Sequence, residues 1–284
     1  MLASVAGQSV LPAQVIIVDG SAQPIEFVLK NFPTLNLTYV RVFPPGLAKQ
    51  RNAGMANIQD DITVAGYLDD DLVLEPNATE KILEFWNSVS AEVGGAAFSI
   101  INQPLASSNR LSKWFLIGDE LPGKLLTSGF QSQIPFVQET VQTDWLYGGA
   151  TLWRREVIRK YSYDEWYIGT GYLEDVDYSY RVRQEYQLFV VGDARVYHYS
   201  RPIPLERNFV LGRHQVVNRT YFVRKMNLFS RPAFAWAIFG QLIHNLMSTA
   251  RRRNSAGLRR VFGNLVGLYE VLTGELKQIP GHYK

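Results

Sequence analysis

Short apolar runs alternate with helix-like stretches along the first two thirds of the chain. The strand-like runs cover residues 15–18, 37–42 and 62–68, and the helical apolar patterns cover residues 47–58 and 76–89. Strands that alternate with helices are typical of an α/β layer fold with a largely parallel sheet. Ligands of such sheets bind beyond the carboxyl ends of the strands. Asp19 and the run Asp69–Asp71 each follow a predicted strand, so the pattern places them at that edge.

The last third of the chain carries two long amphipathic stretches. Residues 232–250 contain no charged side chain, and nineteen residues are long enough for a membrane-spanning helix. However, polar residues recur at helical spacing on one side of the stretch, and Arg251, Arg252 and Arg253 follow it. A second apolar stripe recurs at helical spacing within residues 258–272. The pattern favours helices that lie in an anionic membrane surface, and a hairpin packed on the rest of the protein or on a second subunit is the alternative.

Charge divides the chain near residue 200. Residues 201–284 hold 14 Lys and Arg against three Glu, whereas residues 1–200 hold 15 Lys and Arg against 23 Asp and Glu. We therefore expect two domains, residues 1–200 and a basic helical extension over residues 201–284, with different partners. An anionic membrane surface is the expected partner of the basic part, and nucleic acid is not expected.

Composition limits the protein class and the cellular compartment that we expect. Its 284 residues, 46% of them hydrophobic, can form a large core. The chain has no cysteine, which excludes disulfides and thiolate metal sites and is compatible with a reducing cytoplasm. The first residues lack the basic and apolar regions of a signal peptide. We expect a cytoplasmic protein, peripheral at the inner face of the cell membrane.

Three consecutive carboxylates, Asp69, Asp70 and Asp71, follow the third apolar run. Because side chains alternate along an extended segment, Asp69 and Asp71 should point the same way and Asp70 the other way. Two converging carboxylates repel each other unless a cation lies between them. Mg²⁺ or Mn²⁺ is the natural partner, since both accept hard oxygen ligands and leave positions for substrate phosphates. The alternative is an acidic turn that is merely solvated.

Five motifs occur in the order of one enzyme family. They are VIIVDGS at 15–21, GLAKQRNAG at 46–54, LDDD at 68–71, GGA at 148–150 and LEDVDYSYR at 173–181. Over roughly residues 1–200 the chain resembles family-2 glycosyltransferases of the GT-A fold. The resemblance implies a mixed sheet flanked by helices, here with a C-terminal helical extension. The fold normally starts with a strand before the first helix, and this chain is expected to begin within that helix.

The resemblance also implies residues that bind the sugar nucleotide. Asp19 would accept a hydrogen bond from the nucleobase, with a helix cap or turn residue as the alternative. Lys49 and Arg51 would approach the base or the diphosphate, unless they belong to a solvated helix face. Asp69 and Asp70 would complete the donor-binding set, with Asp69 facing the ribose or the metal.

A divalent metal, Mn²⁺ or Mg²⁺, is the implied cofactor. Asp71 would hold the metal that bridges the diphosphate, with Asp69 beside it and Asp70 as the middle residue of the Asp-any-Asp motif. His198 follows an apparent strand at residues 194–197, and enzymes of this fold often supply a late histidine as a further ligand. The alternative for His198 is a packed or exposed side chain that binds nothing.

Sugar transfer to a hydroxyl needs a base for the acceptor proton and a cation to neutralise the departing diphosphate. By resemblance Asp175 is the base, and Glu174 beside it contacts the acceptor. Acidic residues also favour the first turn of a helix because they complement the helix dipole, and this is the alternative.

A glycine segment would line the pocket for the donor sugar and the acceptor. By resemblance its members are Trp145, Tyr147, Gly148 and Gly149, and aromatic faces stack on the apolar faces of sugars. Core packing is the alternative for Trp145.

The implied activity is a metal-dependent, inverting transfer of a sugar from a nucleoside diphosphate sugar to a hydroxyl. A UDP-sugar is the expected donor, and a glycan or lipid-linked glycan is the expected acceptor. A sugar nucleotidyltransferase is one alternative, although its glycine-rich N-terminal phosphate loop is not visible. A catalytically silent, membrane-associated binding protein of the same fold is the other.

Overall fold

The computed structural model describes residues 1–103, 109–169, 171–252 and 255–274. The chain forms two compact units. The first unit comprises residues 1–105, 135–165 and 169–200, and the second comprises residues 106–134, 166–168 and 201–284. Residues 106–134 thus belong to the second unit, although they fall inside the range expected to form the first domain.

Helices and strands follow one another in an order that the apolar pattern largely anticipates. In chain order they are α1 (Leu2–Ala6), β1 (Val15–Asp19), a 3₁₀ helix (Glu26–Asn31), β2 (Leu37–Arg41), α2 (Leu47–Met55), β3 (Val64–Leu68), β4 (Leu72–Leu74), α3 (Ala78–Ser88), β5 (Val93–Ile100), α4 (Arg110–Trp114), β6 (Val141–Thr143), β7 (Ala150–Arg154), α5 (Arg155–Lys160), α6 (Glu174–Val182), β8 (Gln187–His198), α7 (Arg207–Met226), α8 (Arg231–Arg252) and α9 (Ser255–Thr273).

The strands form two sheets, and the expectation of a largely parallel sheet is wrong. β1 and β2 pair in parallel as a two-stranded sheet, with Asp19 opposite Arg41. The larger sheet has the order β3-β7-β5-β8-β4, with β6 beside β8. In the described chain its parallel pair is β5 with β8, whereas β7 runs antiparallel to β3 and β5. The sheet is therefore mixed, as the resemblance to GT-A enzymes implied.

The central strand β5 is buried along its whole length, which explains its lack of polar alternation. Phe98 of β5 packs in one core with Ile82 and Trp86 of α3. On the other side, a Cβ at Gly95 would lie 2.5 Å from the ring of Trp153 in β7. The absence of a side chain at Gly95 therefore leaves room for this ring. Each of these large apolar side chains stabilises the fold by about 1.5–3 kcal/mol on burial.

The three carboxylates Asp69, Asp70 and Asp71 form a turn between β3 and β4. The expectation that they continue an extended strand is wrong, because the amide of Leu72 turns back to the carbonyl of Asp69 at 3.2 Å. Asp70 is exposed, while Asp69 and Asp71 are half-buried.

The second unit is helical, and its helices approach closely through glycine. A Cβ at Gly212 of α7 would lie 2.0 Å from the carbonyl oxygen of Arg260 in α9. The amide of Asn264 donates to the carbonyl of Gly212 at 2.7 Å and accepts from Asn245 of α8 at 2.7 Å. These bonds satisfy buried amides between the helices. Over the residues described, no helix has the length and apolar character needed to cross a membrane.

Candidate active site

A buried guanidinium lies at the centre of the candidate site. Arg51 of α2 is 5% exposed, and a charge so buried is stable only when it is paired. Arg51 forms an ion pair with Glu174 at the start of α6, and its Nη2 lies 3.8 Å from Oδ1 of Asp69. Its Cζ also lies 5.4 and 5.1 Å from the ring centroids of Tyr67 and Tyr163. Arg51 therefore links α2, the carboxylate turn and α6.

Gly148 and Gly149 allow the backbone to approach these charged groups. A Cβ at Gly148 would lie 2.2 Å from Nη1 of Arg51, and a Cβ at Gly149 would lie 1.9 Å from Oδ2 of Asp69. Both distances are shorter than any side chain tolerates. The amide of Asp69 donates to the carbonyl of Gly149 at 2.8 Å, which joins the carboxylate turn to the glycine segment.

Asp175 lies at the same glycine segment. Its Oδ2 accepts a hydrogen bond from the amide of Gly148 at 3.3 Å, and its Oδ1 accepts one from the amide of Val176 at 2.8 Å. The residue before α6, Leu173, has a φ of 78°, a region that side chains other than glycine rarely occupy. Such backbone strain clusters at functional sites. The structure thus places Asp175 at Gly148, and Glu174 on the guanidinium that lies against Gly148.

The carboxyl groups around Arg51 hold protons more strongly than usual. Burial raises the pKa of Glu174 to about 8, with a further contribution from Asp175 and an opposing one from Arg51. Burial likewise raises the pKa of Asp175, against the effect of Arg51. Partial burial raises the pKa of Asp69, again opposed by Arg51, and the Asp71 carboxylate adds to the rise. Carboxylates with raised pKa values can accept a proton near neutral pH, which suits a general base.

Asp71 and His198 form a separate pair. Leu72 lies opposite His198 where β4 pairs with β8, and this register brings Nε2 of His198 to 3.2 Å from Oδ1 of Asp71. That Oδ1 is shielded from solvent and accepts no hydrogen bond. A shielded carboxylate oxygen beside an imidazole nitrogen fits a divalent metal such as Mn²⁺ or Mg²⁺.

The predicted trio of metal ligands is not assembled as a group. Among the residues that the structure describes, no set of three or more Asp, Glu, His or Cys side chains is arranged to hold a metal ion. Asp69 lies instead beside Arg51 and Gly149. Of the predicted metal ligands, Asp71 and His198 lie together, and the exposed Asp70 lies at the middle of the turn.

Asp19 is buried at the end of β1, and its carboxylate accepts four hydrogen bonds from other groups of the protein. Its Oδ1 accepts from the amide of Ser21 at 2.7 Å. Its Oδ2 accepts from the amide of Ile25 at 3.1 Å, the hydroxyl of Tyr39 at 2.5 Å and the guanidinium of Arg41 at 2.8 Å. Burial alone would raise the pKa of Asp19, but the hydrogen bonds, led by that of Tyr39, lower it well below the ordinary value. This environment is that of the turn residue considered as the alternative.

Three other predicted residues, Lys49, Trp145 and Tyr147, lie outside the group formed by Arg51, Asp69, Glu174 and the two glycines. Lys49 is exposed on α2, between the buried residues Ala48 and Arg51. Trp145 and Tyr147 are half-buried and meet edge to face, with ring centroids 6.2 Å apart. Tyr147 packs against the core of the first unit, and its burial raises the pKa of its hydroxyl.

Two aromatic residues of the site were not predicted from the sequence. Tyr67 and Tyr163 cover the guanidinium of Arg51, and their rings meet edge to face at 5.4 Å. Tyr163 also stacks on Tyr178 of α6, with ring centroids 4.2 Å apart. Tyr67 directly precedes the LDDD motif, and this position is a local signal that could have identified it. Tyr163 lies in no motif, so its role follows from the fold alone.

Comparison with known proteins identifies the fold and the family. Among curated proteins none matches the sequence. The solved mannosyltransferase PcManGT from Pyrobaculum calidifontis, in complex with GDP-Man and Mn²⁺, is similar with a TM-score of 0.53 and 13% identity, over 95% of this chain and 82% of that one. GalNAc-T7 with UDP, GalNAc and Mn²⁺ is similar with a TM-score of 0.50 and 14% identity, over 83% of this chain. The chain spans about half, 51%, of the GalNAc-T7 structure.

These structures share the GT-A fold with the chain, a mixed sheet flanked by helices. A sequence model described as Glycosyl transferase family 2 matches residues 1–161, more than half of the 284 residues. The match includes the motifs that contribute Arg51, Asp69, Gly148 and Gly149. The chain therefore belongs to glycosyl transferase family 2.

Proposed function

We propose that this protein transfers a sugar from a nucleoside diphosphate sugar to a hydroxyl group, with inversion and with a divalent metal. One observation carries the proposal: the Asp175 carboxylate lies at Gly148, on a helix whose start is held by the ion pair of Glu174 with Arg51. A carboxylate of raised pKa beside a side-chain-free stretch of backbone is suited to meet a sugar hydroxyl.

Asp175 acts as the general base. Its carboxylate takes the proton of the acceptor hydroxyl while the oxygen forms a bond to the anomeric carbon of the donor sugar. The bond from that carbon to the diphosphate oxygen breaks in the same displacement, so the configuration inverts. The proton ends on Asp175, and the electron pair ends on the nucleoside diphosphate.

Arg51 and Glu174 position the base. The guanidinium joins Glu174 to Asp69 and lies against Gly148, so one buried side chain sets the spacing of the base, the carboxylate turn and the glycine segment. Positioning of this kind contributes to rate because a misplacement of about 1 Å lowers it about a hundredfold. Glu174 contacts the acceptor in the same arrangement.

The donor lies along the carboxylate turn. Asp69 faces the ribose, and Asp71 with His198 would hold Mn²⁺ or Mg²⁺, which when bound neutralises charge on the departing diphosphate. PcManGT was solved with GDP-Man and Mn²⁺ and GalNAc-T7 with UDP and Mn²⁺, which supports a nucleotide sugar with a divalent metal here. We expect a UDP-sugar as donor.

The other predicted residues complete the donor and acceptor sites. Asp19 shapes the corner that receives the nucleobase, and the exposed Lys49 reaches the diphosphate. Trp145 and Tyr147 flank the donor sugar. The acceptor is a glycan or a lipid-linked glycan at the inner face of the cell membrane, where the basic residues 201–284 favour an anionic surface.

Donor binding tests the metal assignment. Isothermal titration of UDP-sugars and GDP-sugars, with Mn²⁺ and with EDTA, should give at least one donor whose affinity depends on Mn²⁺. Asp71→Asn should abolish that dependence because an amide replaces a charged ligand of the same shape. Asp61→Asn, at an exposed position before β3, is the matched control and should bind like the parent.

Two results would contradict the proposal. Unchanged Mn²⁺-dependent affinity in Asp71→Asn would contradict the assignment of Asp71 as a metal ligand. Intact donor binding without release of nucleoside diphosphate, for the parent protein with Mn²⁺ present, would instead favour a binding protein without catalytic activity.

A further inference from the structure

One face of α9 in the second unit is apolar and uncovered. Five large side chains on this face are between 50% and 77% exposed, and they are Leu258, Phe262, Leu265, Tyr269 and Leu272. Their spacing of three and four residues keeps them on one side of the helix, over a length of about 21 Å. We call this set the α9 stripe. Single exposed apolar residues are common on proteins, but a continuous stripe marks an interaction surface.

The opposite face of α9 is fixed, so the stripe cannot turn inward. Asn264 is buried and donates to the carbonyl of Gly212 at 2.7 Å. A Cβ at Gly263 would lie 2.1 Å from the carbonyl oxygen of Phe209, which shows how closely α9 lies against α7. The helix is therefore held by its inner face, and the stripe faces outward in the folded second unit.

The helical unit that carries the stripe is strongly basic. Residues 201–274 contain two acidic residues, Glu206 and Glu270, and Oε2 of Glu270 lies 2.8 Å from the guanidinium of Arg213. Arg259 is exposed on α9 itself, and Arg224 is exposed near the end of α7. An apolar stripe on a basic helical unit matches a surface that offers both hydrocarbon and negative charge.

We infer that the α9 stripe binds the surface of an anionic lipid membrane, with the helix lying in the plane of the headgroups. A second copy of the chain fits less well, because two stripes in contact would bring two basic units together. The inference rests on the proposed function for the location of the acceptor, but lipid binding itself requires neither Asp175 nor a metal. The stripe would hold the enzyme where a lipid-linked acceptor is presented.

Vesicle co-sedimentation tests the inference on the full chain. The parent protein should sediment with vesicles of phosphatidylglycerol and phosphatidylcholine, and much less with vesicles of phosphatidylcholine alone. High salt should weaken the binding because it screens the charges. Phe262→Glu should lower the partition coefficient about tenfold or more, since it removes apolar area and adds a repelled charge. Phe27→Glu is the matched control, because Phe27 is similarly exposed, at 66%, in the first unit.

Each outcome decides the inference. A parent protein that never sediments with the anionic vesicles overturns it. Equal losses of vesicle binding in Phe262→Glu and Phe27→Glu also overturn it. Self-association that Phe262→Glu abolishes, with vesicle binding unchanged, assigns the stripe to a subunit interface instead. If the circular dichroism of Phe262→Glu differs from that of the parent, Leu272→Glu in the last turn of α9 is measured in its place. Loss of nucleotide-sugar binding with vesicle binding intact counts against the proposed function and not against the stripe.

Discussion

Asp19 and Asp175 are both aspartates at the ends of secondary structure elements in the first unit, yet their surroundings differ. Asp19 receives hydrogen bonds from two backbone amides, a tyrosine and an arginine, and its pKa is lowered. Asp175 receives two backbone hydrogen bonds, and burial raises its pKa. The larger number of hydrogen-bond donors stabilises the Asp19 anion, which makes Asp19 a structural residue. Asp175 has fewer donors, so it can accept a proton more readily.

The same contrast applies to arginine. Arg41 is committed to Asp19 and to the carbonyl of Ser21. Arg51 is divided between Glu174 and Asp69 and opposes the rise in pKa of both. A guanidinium shared among several carboxyls leaves each of them less stabilised as an anion than a dedicated partner would.

A large effect on transfer is expected from Gly149→Ala. The new Cβ would lie 1.9 Å from Oδ2 of Asp69, so the carboxylate that lies beside Arg51 must move. We expect transfer to fall about a hundredfold, the scale of a misplacement of about 1 Å. Release of nucleoside diphosphate from the bound donor measures it. Gly46→Ala is the control, because its Cβ would meet the side chain of Lys49 at an ordinary 3.7 Å. Equal rates for the two variants would show that the close approach is not needed.

Asp19→Asn should affect stability more than catalysis. An amide cannot satisfy the donors now bound by a charged carboxylate, so the free energy of unfolding should fall by about 2 kcal/mol. Urea unfolding at neutral pH measures this loss, and the exposed Asp60→Asn should show little change. Transfer per folded molecule should stay within a few fold of the parent. A hundredfold loss of donor affinity in a folded Asp19→Asn would show that Asp19 binds the nucleobase directly.

The pH dependence of that stability follows from the sign of the pKa shift. Since folding lowers the pKa of Asp19, its contribution is present above the ordinary aspartate value of about 4. It is lost as the pH falls from there towards the lowered value. The difference in unfolding free energy between the parent and Asp19→Asn should therefore shrink in acid. A difference that grows in acid would contradict the assigned environment.

A smaller effect is expected from Glu174→Gln on the acid limb of the pH profile. The base must be ionised, so transfer falls as the pH drops through the raised pKa of Asp175. Because burial raises the pKa of Glu174 to about 8, this side chain is largely uncharged on the acid side of that value, and Glu174→Gln should shift the acid limb by less than about half a pH unit. The profile of kcat/KM against pH measures it, with the exposed Glu185→Gln as control. An acid limb that moves by about one pH unit or more would show instead that Glu174 is ionised in that range and acts on the charge of Asp175.

The motifs named several residues that meet around Arg51 but not how they are paired. Arg51, the carboxylate turn, the glycine segment and Glu174 with Asp175 were all expected, because each belongs to a family motif. The ion pair of Arg51 with Glu174 joins residues 123 positions apart, and no local pattern encodes such a pair. Tyr163 was missed for the same reason.

The direction of the sheet was mispredicted because the alternation of strands and helices reports local structure only. Between β5 and β7 the chain passes through residues 106–134 of the second unit, and β7 pairs antiparallel with β5. The engagement of Asp19 likewise depends on the pairing of β1 with β2, which places Arg41 opposite it. Register between strands is a tertiary property, and the apolar pattern does not specify it.

Asp175→Asn tests the assignment of the base. The variant keeps the shape of the side chain but cannot take a proton. Donor affinity, measured by titration with the nucleotide sugar that binds the parent, should remain nearly unchanged. Transfer, followed by release of nucleoside diphosphate, should fall about a hundredfold or more. Turnover at the parental rate with intact donor binding would contradict the account and move the base to another residue, with Glu174 the first to examine.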